Sequence, residues 1–127
     1  MNIRLDYMYR DASNYKRYKD VVLANPEEMS AEDVLGAISH AAIGWRIFPD
    51  VIHFRPESIG LPTCYLSEIG FEIREDDLDL HEVLGVEATE SVVTEERSVR
   101  ELIDDLRDAS SRGNTRAALL LVHEDLR

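Results

Sequence analysis

The chain has a single cysteine, Cys64, among its 127 residues. One thiol excludes an intrachain disulfide, and it excludes a zinc site within one chain that needs two or more thiolates. The six glycines are scattered singly, so the sequence has neither a glycine-rich phosphate-binding loop nor a dinucleotide-binding fingerprint. The motifs of disulfide scaffolds, thiolate zinc modules and nucleotide-dependent enzymes are therefore missing.

Long apolar runs are missing as well. No run approaches the ~20 residues that span a bilayer, and residues 1–25 carry acids and bases throughout, unlike a signal peptide. Hydrophobic residues still make up 44% of the chain, which suits one globular core better than two. We therefore expect a single cytoplasmic domain over residues 1–127, with no membrane segment.

Positive charge is scarce. The chain has 14 Lys and Arg against 26 Asp and Glu, a formal net charge of −12. Residues 68–90 hold nine acids and one base, whereas residues 1–23 hold five bases and three acids. An acidic surface repels phosphate backbones, so nucleic-acid binding is disfavoured except at the N-terminal end. The acidity is explained equally well by a functional surface and by an adaptation of the source organism.

The N-terminal residues predict a β-hairpin. Apolar and polar side chains alternate over residues 3–9, which is typical of a half-buried strand. Residues 11–14 form a polar turn cluster, and residues 15–23 supply a second strand. Tyr7 and Tyr9 are expected to pack against the sheet, on the same face as Ile3 and Leu5.

Two helix starts are visible in the sequence. Ser30 is a predicted N-cap, and the apolar stripe that follows it is predicted to end at Gly44. Residues 98–101, Ser-Val-Arg-Glu, form a capping box that begins a second helix with a predicted stop at Gly113. Alanine and leucine content favours a further helix over residues 116–126.

Short strands are predicted at residues 51–54, 63–66, 69–73 and 83–87. Strands near the N-terminus and centre, with helices between and after them, indicate the α+β class. We expect a small antiparallel sheet with an N-terminal hairpin and two to three helices packed on one face.

An acidic segment with a histidine, residues 75–82, is the candidate metal site. If the segment is extended, Asp77, Asp79 and His81 project from the same side and offer carboxylate and imidazole ligands. The calcium-loop pattern is not met, because the required glycine is missing. A solvated acidic loop is the competing interpretation.

Other catalytic patterns are weak. The four histidines, His40, His53, His81 and His123, have no metal-site spacing between them. Cys64 would need a neighbouring base to act as a nucleophile, and the sequence does not place one beside it. We therefore assign no catalytic residue and no cofactor, and we favour a protein without enzymatic activity.

Four of the five tyrosines lie within residues 7–18, interleaved with bases. Tyrosines offer rigid contact area with a polar tip, so Tyr15 and Tyr18 are candidate recognition residues. The opening resembles small uncharacterised bacterial proteins that begin with a strand and a Tyr-Arg-Asp-x-x-Asn-Tyr-Lys segment. The resemblance is carried by Tyr9, Arg10, Asp11, Asn14, Tyr15 and Lys16. It implies an α+β domain and no particular activity.

The sequence favours a non-enzymatic acidic interaction module, such as an adaptor, inhibitor or immunity-type protein, that binds a basic protein partner. The expected binding residues are Asp76, Asp77, Asp79, Glu82, Tyr15 and Tyr18. One alternative is a metal-dependent hydrolase that uses residues 75–82. Another is a nucleic-acid contact through Lys16, Arg17, Lys19 and the tyrosines.

Overall fold

The strands form one antiparallel sheet in the computed structural model, which describes residues 1–113. They are β1 (Asn2–Arg10), β2 (Lys16–Leu23), β3 (Ile52–Phe54) and β4 (His81–Thr89), in the order β2-β1-β4-β3. Within this range the helices are α1 (Ala31–Ala41) and α2 (Val99–Gly113). The α+β class and the N-terminal hairpin are confirmed. The predicted helix over residues 116–126 and His123 lie outside the described residues.

The hairpin turn is fixed by its own side chains. Asp11 accepts a hydrogen bond from the Tyr15 amide through Oδ1 at 2.9 Å. Asn14 has a positive φ of 69°, a conformation that asparagine tolerates better than most residues. Along β1, Ile3, Leu5, Tyr7 and Tyr9 are buried in the core, as the alternation predicts.

Helix α1 begins as predicted, but it ends earlier than predicted. The Ser30 hydroxyl accepts the Asp33 amide at 3.1 Å, whereas the helix ends at Ala41 rather than at Gly44. Gly44 instead allows the chain after α1 to pack closely against α2. A Cβ atom at Gly44 would lie 2.3 Å from the carbonyl oxygen of Ser110 on α2.

Helix α2 begins with the predicted capping box. The Ser98 amide donates to Glu101 Oε1 at 3.1 Å, and the Glu101 amide donates to the Ser98 hydroxyl at 3.3 Å. Its buried stripe consists of Leu102, Ile103, Leu106 and Ala109. Both helices share one apolar core with the sheet, and this core includes the fully buried Trp45. No helix within residues 1–113 is long and apolar enough to cross a membrane.

The connection between β3 and β4, residues 55–80, differs most from prediction. The predicted strands at residues 63–66 and 69–73 are wrong, because this stretch contains the short 3₁₀ turn Leu66–Ile69 and irregular backbone. Pro62 has no amide to donate, and Gly70 has a φ of 97°, so extended pairing is interrupted at both positions. Both sides of β4 are already occupied, by β1 and β3.

Candidate functional site

His81, the first residue of β4, is fully buried in an aromatic cage. The rings of Tyr7, Tyr9, Phe54 and Tyr65 surround it, with ring centroids 4.6 to 6.2 Å from that of His81. The register explains this position, because Tyr9 and Phe54 lie opposite His81 on either side of β4. The cage therefore joins the sheet to the 55–80 connection.

The imidazole of His81 acts as a hydrogen-bond acceptor. Its Nε2 accepts the Cys64 amide at 3.0 Å, which leaves the proton of the neutral ring on Nδ1. Nδ1 has no hydrogen-bond partner among the described residues. Burial lowers the pKa of His81 to about 4. The ring is therefore neutral near pH 7, and its lone pair is already occupied, so it does not serve as a general base.

Cys64 is equally unsuited to nucleophilic chemistry. Its thiol is fully buried and donates to the Arg17 carbonyl oxygen at 3.4 Å. Burial raises the pKa of the thiol above its usual value. The contact between Cys64 and His81 runs through the backbone amide rather than through sulfur. The hydrogen bond between Cys64 and His81 holds the 55–80 connection against the sheet, and the two side chains do not form a thiol–imidazole dyad.

Tyrosine hydroxyls fasten the 55–80 connection to the sheet. Tyr7 donates to the Pro62 carbonyl oxygen at 2.5 Å, and Tyr9 donates to that of Leu78 at 2.9 Å. Tyr65 donates to the Glu57 carboxylate. Burial raises the pKa of Tyr9 to about 12, and it raises the pKa values of Tyr7 and Tyr65 further. These hydroxyls therefore stay protonated and act as donors.

The alternative metal site is not assembled. Asp77 accepts the Ala12 amide at 2.8 Å and the Arg74 amide at 2.9 Å, whereas His81 faces the core. The segment turns at residues 74–77 instead of running extended, so the shared side that the prediction assumed does not form. Within residues 1–113, no three His, Cys, Asp or Glu side chains lie close enough to hold a metal ion.

Most of the acids in residues 68–90 have partners inside the protein. Ion pairs join Glu68 to Arg17, Asp79 to Arg55, Glu82 to Arg10 and Glu87 to Arg4. Asp77 is bound to backbone amides. Three exposed carboxylates on a single loop make no ion pair within the described part of the chain: Glu72, Glu75 and Asp76. Of the four predicted acidic binding residues, Asp76 is the one that is exposed and makes no ion pair or hydrogen bond within residues 1–113.

The same loop exposes apolar side chains. Ile73 is 76% exposed, and Phe71 contacts Tyr15 edge-on with ring centroids 5.4 Å apart. Tyr15 is itself 58% exposed. We call residues 69–76 the docking loop. Tyr18 is 62% exposed but lies on strand β2, beside a separate shallow cleft with Leu84, so the structure does not group it with Tyr15.

Two clefts border the docking loop. The tyrosine cleft, of about 540 Å³, lies between Tyr9, Tyr65 and residues 72–75. The histidine cleft, of about 500 Å³, lies between His53, Phe48 and Asp76. Asp11 and Leu78 line both clefts. Volumes of this size are within the range of ligand-binding pockets.

His53 is a candidate residue whose role sequence reasoning missed. It is only 2% exposed, its Nδ1 accepts the Ile47 amide at 3.4 Å, and burial lowers its pKa. Glu82 lies directly opposite it across the β3–β4 ladder and is bound to Arg10 at 3.0 Å. The register of β3 against β4 brings His53 and Glu82 together. Their spacing along the chain does not indicate that they are neighbours.

Comparison with protein-family models, curated proteins and solved structures finds no match to this chain. The resemblance of the opening segment stays a prediction.

Proposed function

We propose that this chain is a non-enzymatic binding protein whose docking loop and Tyr15 receive a basic segment of a protein partner. The observation that carries the proposal is the composition of the loop surface. Exposed Phe71 and Ile73 lie there beside Glu72 and Glu75, which make no ion pair within residues 1–113. Aromatic and aliphatic side chains supply contact area at interfaces, and carboxylates select a basic partner and speed its association.

The docking loop is held in place before a partner arrives. Asp77 binds two backbone amides at its C-terminal end, and Arg74 donates to the Ser13 hydroxyl at 3.1 Å. The Tyr9 hydroxyl anchors Leu78 just beyond it. A preordered loop loses little conformational entropy on binding, so more of the contact energy contributes to affinity.

The two alternatives have less support. A metal-dependent hydrolase would use Asp77, Asp79 and His81. Asp77 is bound to two backbone amides and Asp79 is paired with Arg55, while His81 is buried and accepts the Cys64 amide. For nucleic-acid contact, three of the five N-terminal bases are neutralised by ion pairs: Arg4, Arg10 and Arg17. That leaves Lys16 and Lys19 as the remaining N-terminal side-chain cations, a small charge for binding a phosphate backbone.

The test compares two variants that each remove three exposed carboxylates. The docking-loop variant is E72Q/E75Q/D76N, and the matched control is D50N/E90Q/E96Q. Proteins from the source organism are captured on the wild-type chain at low salt, identified, purified and titrated against all three forms. We expect the docking-loop variant to bind the partner about tenfold more weakly, and the control to bind like wild type. Equal affinities for both variants would contradict the proposal.

A further inference from the structure

The histidine cleft contains an unused hydrogen-bond donor at its base. The His53 side chain is buried, with only 2% of its surface exposed. Its Nδ1 accepts a hydrogen bond from the Ile47 amide, so the neutral ring carries its proton on Nε2. Nε2 makes no hydrogen bond within the described part of the chain, and His53 lines the cleft. This N–H is therefore available to a ligand in the cleft that carries an acceptor atom.

The walls of the cleft define the rest of that ligand. Phe48 is 53% exposed and packs against the His53 ring, with centroids 5.6 Å apart. Three acids and one base line the cleft: Asp11, Asp76, Glu82 and Arg10. Arg10 is already bound to Glu82, and Asp76 is exposed at the rim without an ion pair in residues 1–113. The surplus of carboxylates disfavours an anionic ligand and favours a cation.

We propose that the histidine cleft binds an arginine residue of the protein partner. The His53 Nε2–H donates to the peptide carbonyl oxygen of that arginine, and Asp76 pairs with its guanidinium. Phe48 covers the aliphatic stem or stacks on the guanidinium plane, which arginine does better than lysine. This inference rests on the proposed function, because Asp76 ends the docking loop and lines the cleft.

The probe for this site is N-acetyl-arginine N-methylamide, which has both the carbonyl and the guanidinium. It is titrated into the full chain while the imidazole signals of His53 are followed by NMR. The comparator is the citrulline analogue, which keeps the carbonyl and the length but lacks the charge. We expect a saturable shift at His53 in the millimolar range, and about fivefold weaker binding of the citrulline analogue.

Two variants and a control complete the test. We expect D76N to lower the affinity for the arginine probe by about as much as replacing arginine with citrulline lowers the affinity of the wild type. We expect D50N to leave the affinity for the arginine probe unchanged. H53F removes the donor and should abolish binding, with its fold checked by thermal unfolding. Absence of a saturable shift at His53 up to about 50 mM, or equal binding of the two probes, would overturn the inference.

The failure of this inference can be told apart from failure of the proposed function. If the docking-loop variant loses the partner while the arginine probe never reaches His53, only the cleft assignment falls. If the probe binds at His53 but the docking-loop and control variants bind the partner equally, the proposed function falls, and the cleft remains an arginine site without that role.

Discussion

At the scale of the residue, burial holds the most reactive side chains of this protein in their neutral forms. Burial lowers the pKa of the His81 imidazole to about 4 and raises the pKa of the Cys64 thiol. Each also makes a hydrogen bond that closes the 55–80 connection onto the sheet. We therefore expect both groups to make the stability of the protein depend on pH.

Acid should destabilise the protein through His81. Its pKa in the folded state, about 4, lies below the ordinary value of 6.5, so the unfolded chain binds more protons between these values. The stabilising contribution is complete above pH ~6.5 and falls as the pH drops toward 4, by about 3 kcal/mol in total. Urea unfolding at pH 7 and pH 4 measures the loss, and His81→Phe should reduce this pH dependence by that amount.

Two neighbouring carboxylates should respond very differently to removal. Asp77 accepts two backbone amides, so Asp77→Ala removes two hydrogen bonds to a charged acceptor and should cost about 2 kcal/mol of unfolding free energy. Asp76 is exposed and makes no hydrogen bond in the described part, so Asp76→Ala should change stability by less than about 0.5 kcal/mol. Chemical denaturation of both variants checks this. Similar losses for both would contradict the assignment of Asp77 to structure and Asp76 to binding.

At the scale of the element, the contact between α2 and the turn after α1 depends on a glycine. A Cβ atom at Gly44 would lie within 3 Å of the Ser110 backbone, which cannot move aside like a flexible side chain. The Gly44 amide also donates to the Ser110 hydroxyl at 2.8 Å. The backbone at Gly44 therefore packs directly against the backbone of α2 at Ser110.

Paired glycine substitutions test that fit. Gly44→Ala should destabilise the protein by about 3 kcal/mol through overpacking. Gly36→Ala, on α1 with nothing within 4 Å of the new Cβ, should stabilise it by about 0.5 to 1 kcal/mol because alanine favours the helix. Thermal unfolding of the two variants gives the comparison, and a neutral Gly44→Ala would refute the close approach.

The elements with local signals were predictable, and those set by distant contacts were not. The hairpin alternation, the Ser30 cap and the Ser98–Glu101 capping box act within a few residues and appear in the structure as predicted. The 55–80 connection takes its shape from Tyr7 and Tyr9, more than fifty residues away in sequence. Its strands were mispredicted because apolar residues such as Phe71 and Ile73 face solvent instead of a sheet.

The candidate site was predictable only in part, for the same reason. The acid content of residues 68–90 directs attention to the region that contains the docking loop, and Asp76 and Tyr15 lie at the exposed surface. Spacing along the chain did not reveal that Asp79 and Glu82 are ion-paired, because their partners Arg55 and Arg10 come from other elements. The pairing of His53 with Glu82 likewise follows from strand register alone.

At the scale of the whole molecule, the carboxylates that give the chain its net charge of −12 are of two kinds. Many carboxylates form ion pairs with arginines of the same chain. These carboxylates therefore add little to the electrostatic potential that a partner would meet. The docking loop concentrates three carboxylates that have no ion pair in the described part of the chain, beside exposed aromatic and aliphatic side chains. Local arrangement, rather than total charge, is therefore what we expect to determine association.

The most direct test of the docking loop is the association rate constant with the partner, measured by stopped flow over a range of salt concentrations. We expect E72Q/E75Q/D76N to slow association about tenfold at low salt and to flatten its salt dependence. We expect D50N/E90Q/E96Q, which has the same change in net charge, to associate nearly as fast as the wild type. Equal slowing by the two variants would show that only total charge matters, and it would contradict the docking loop as the binding surface.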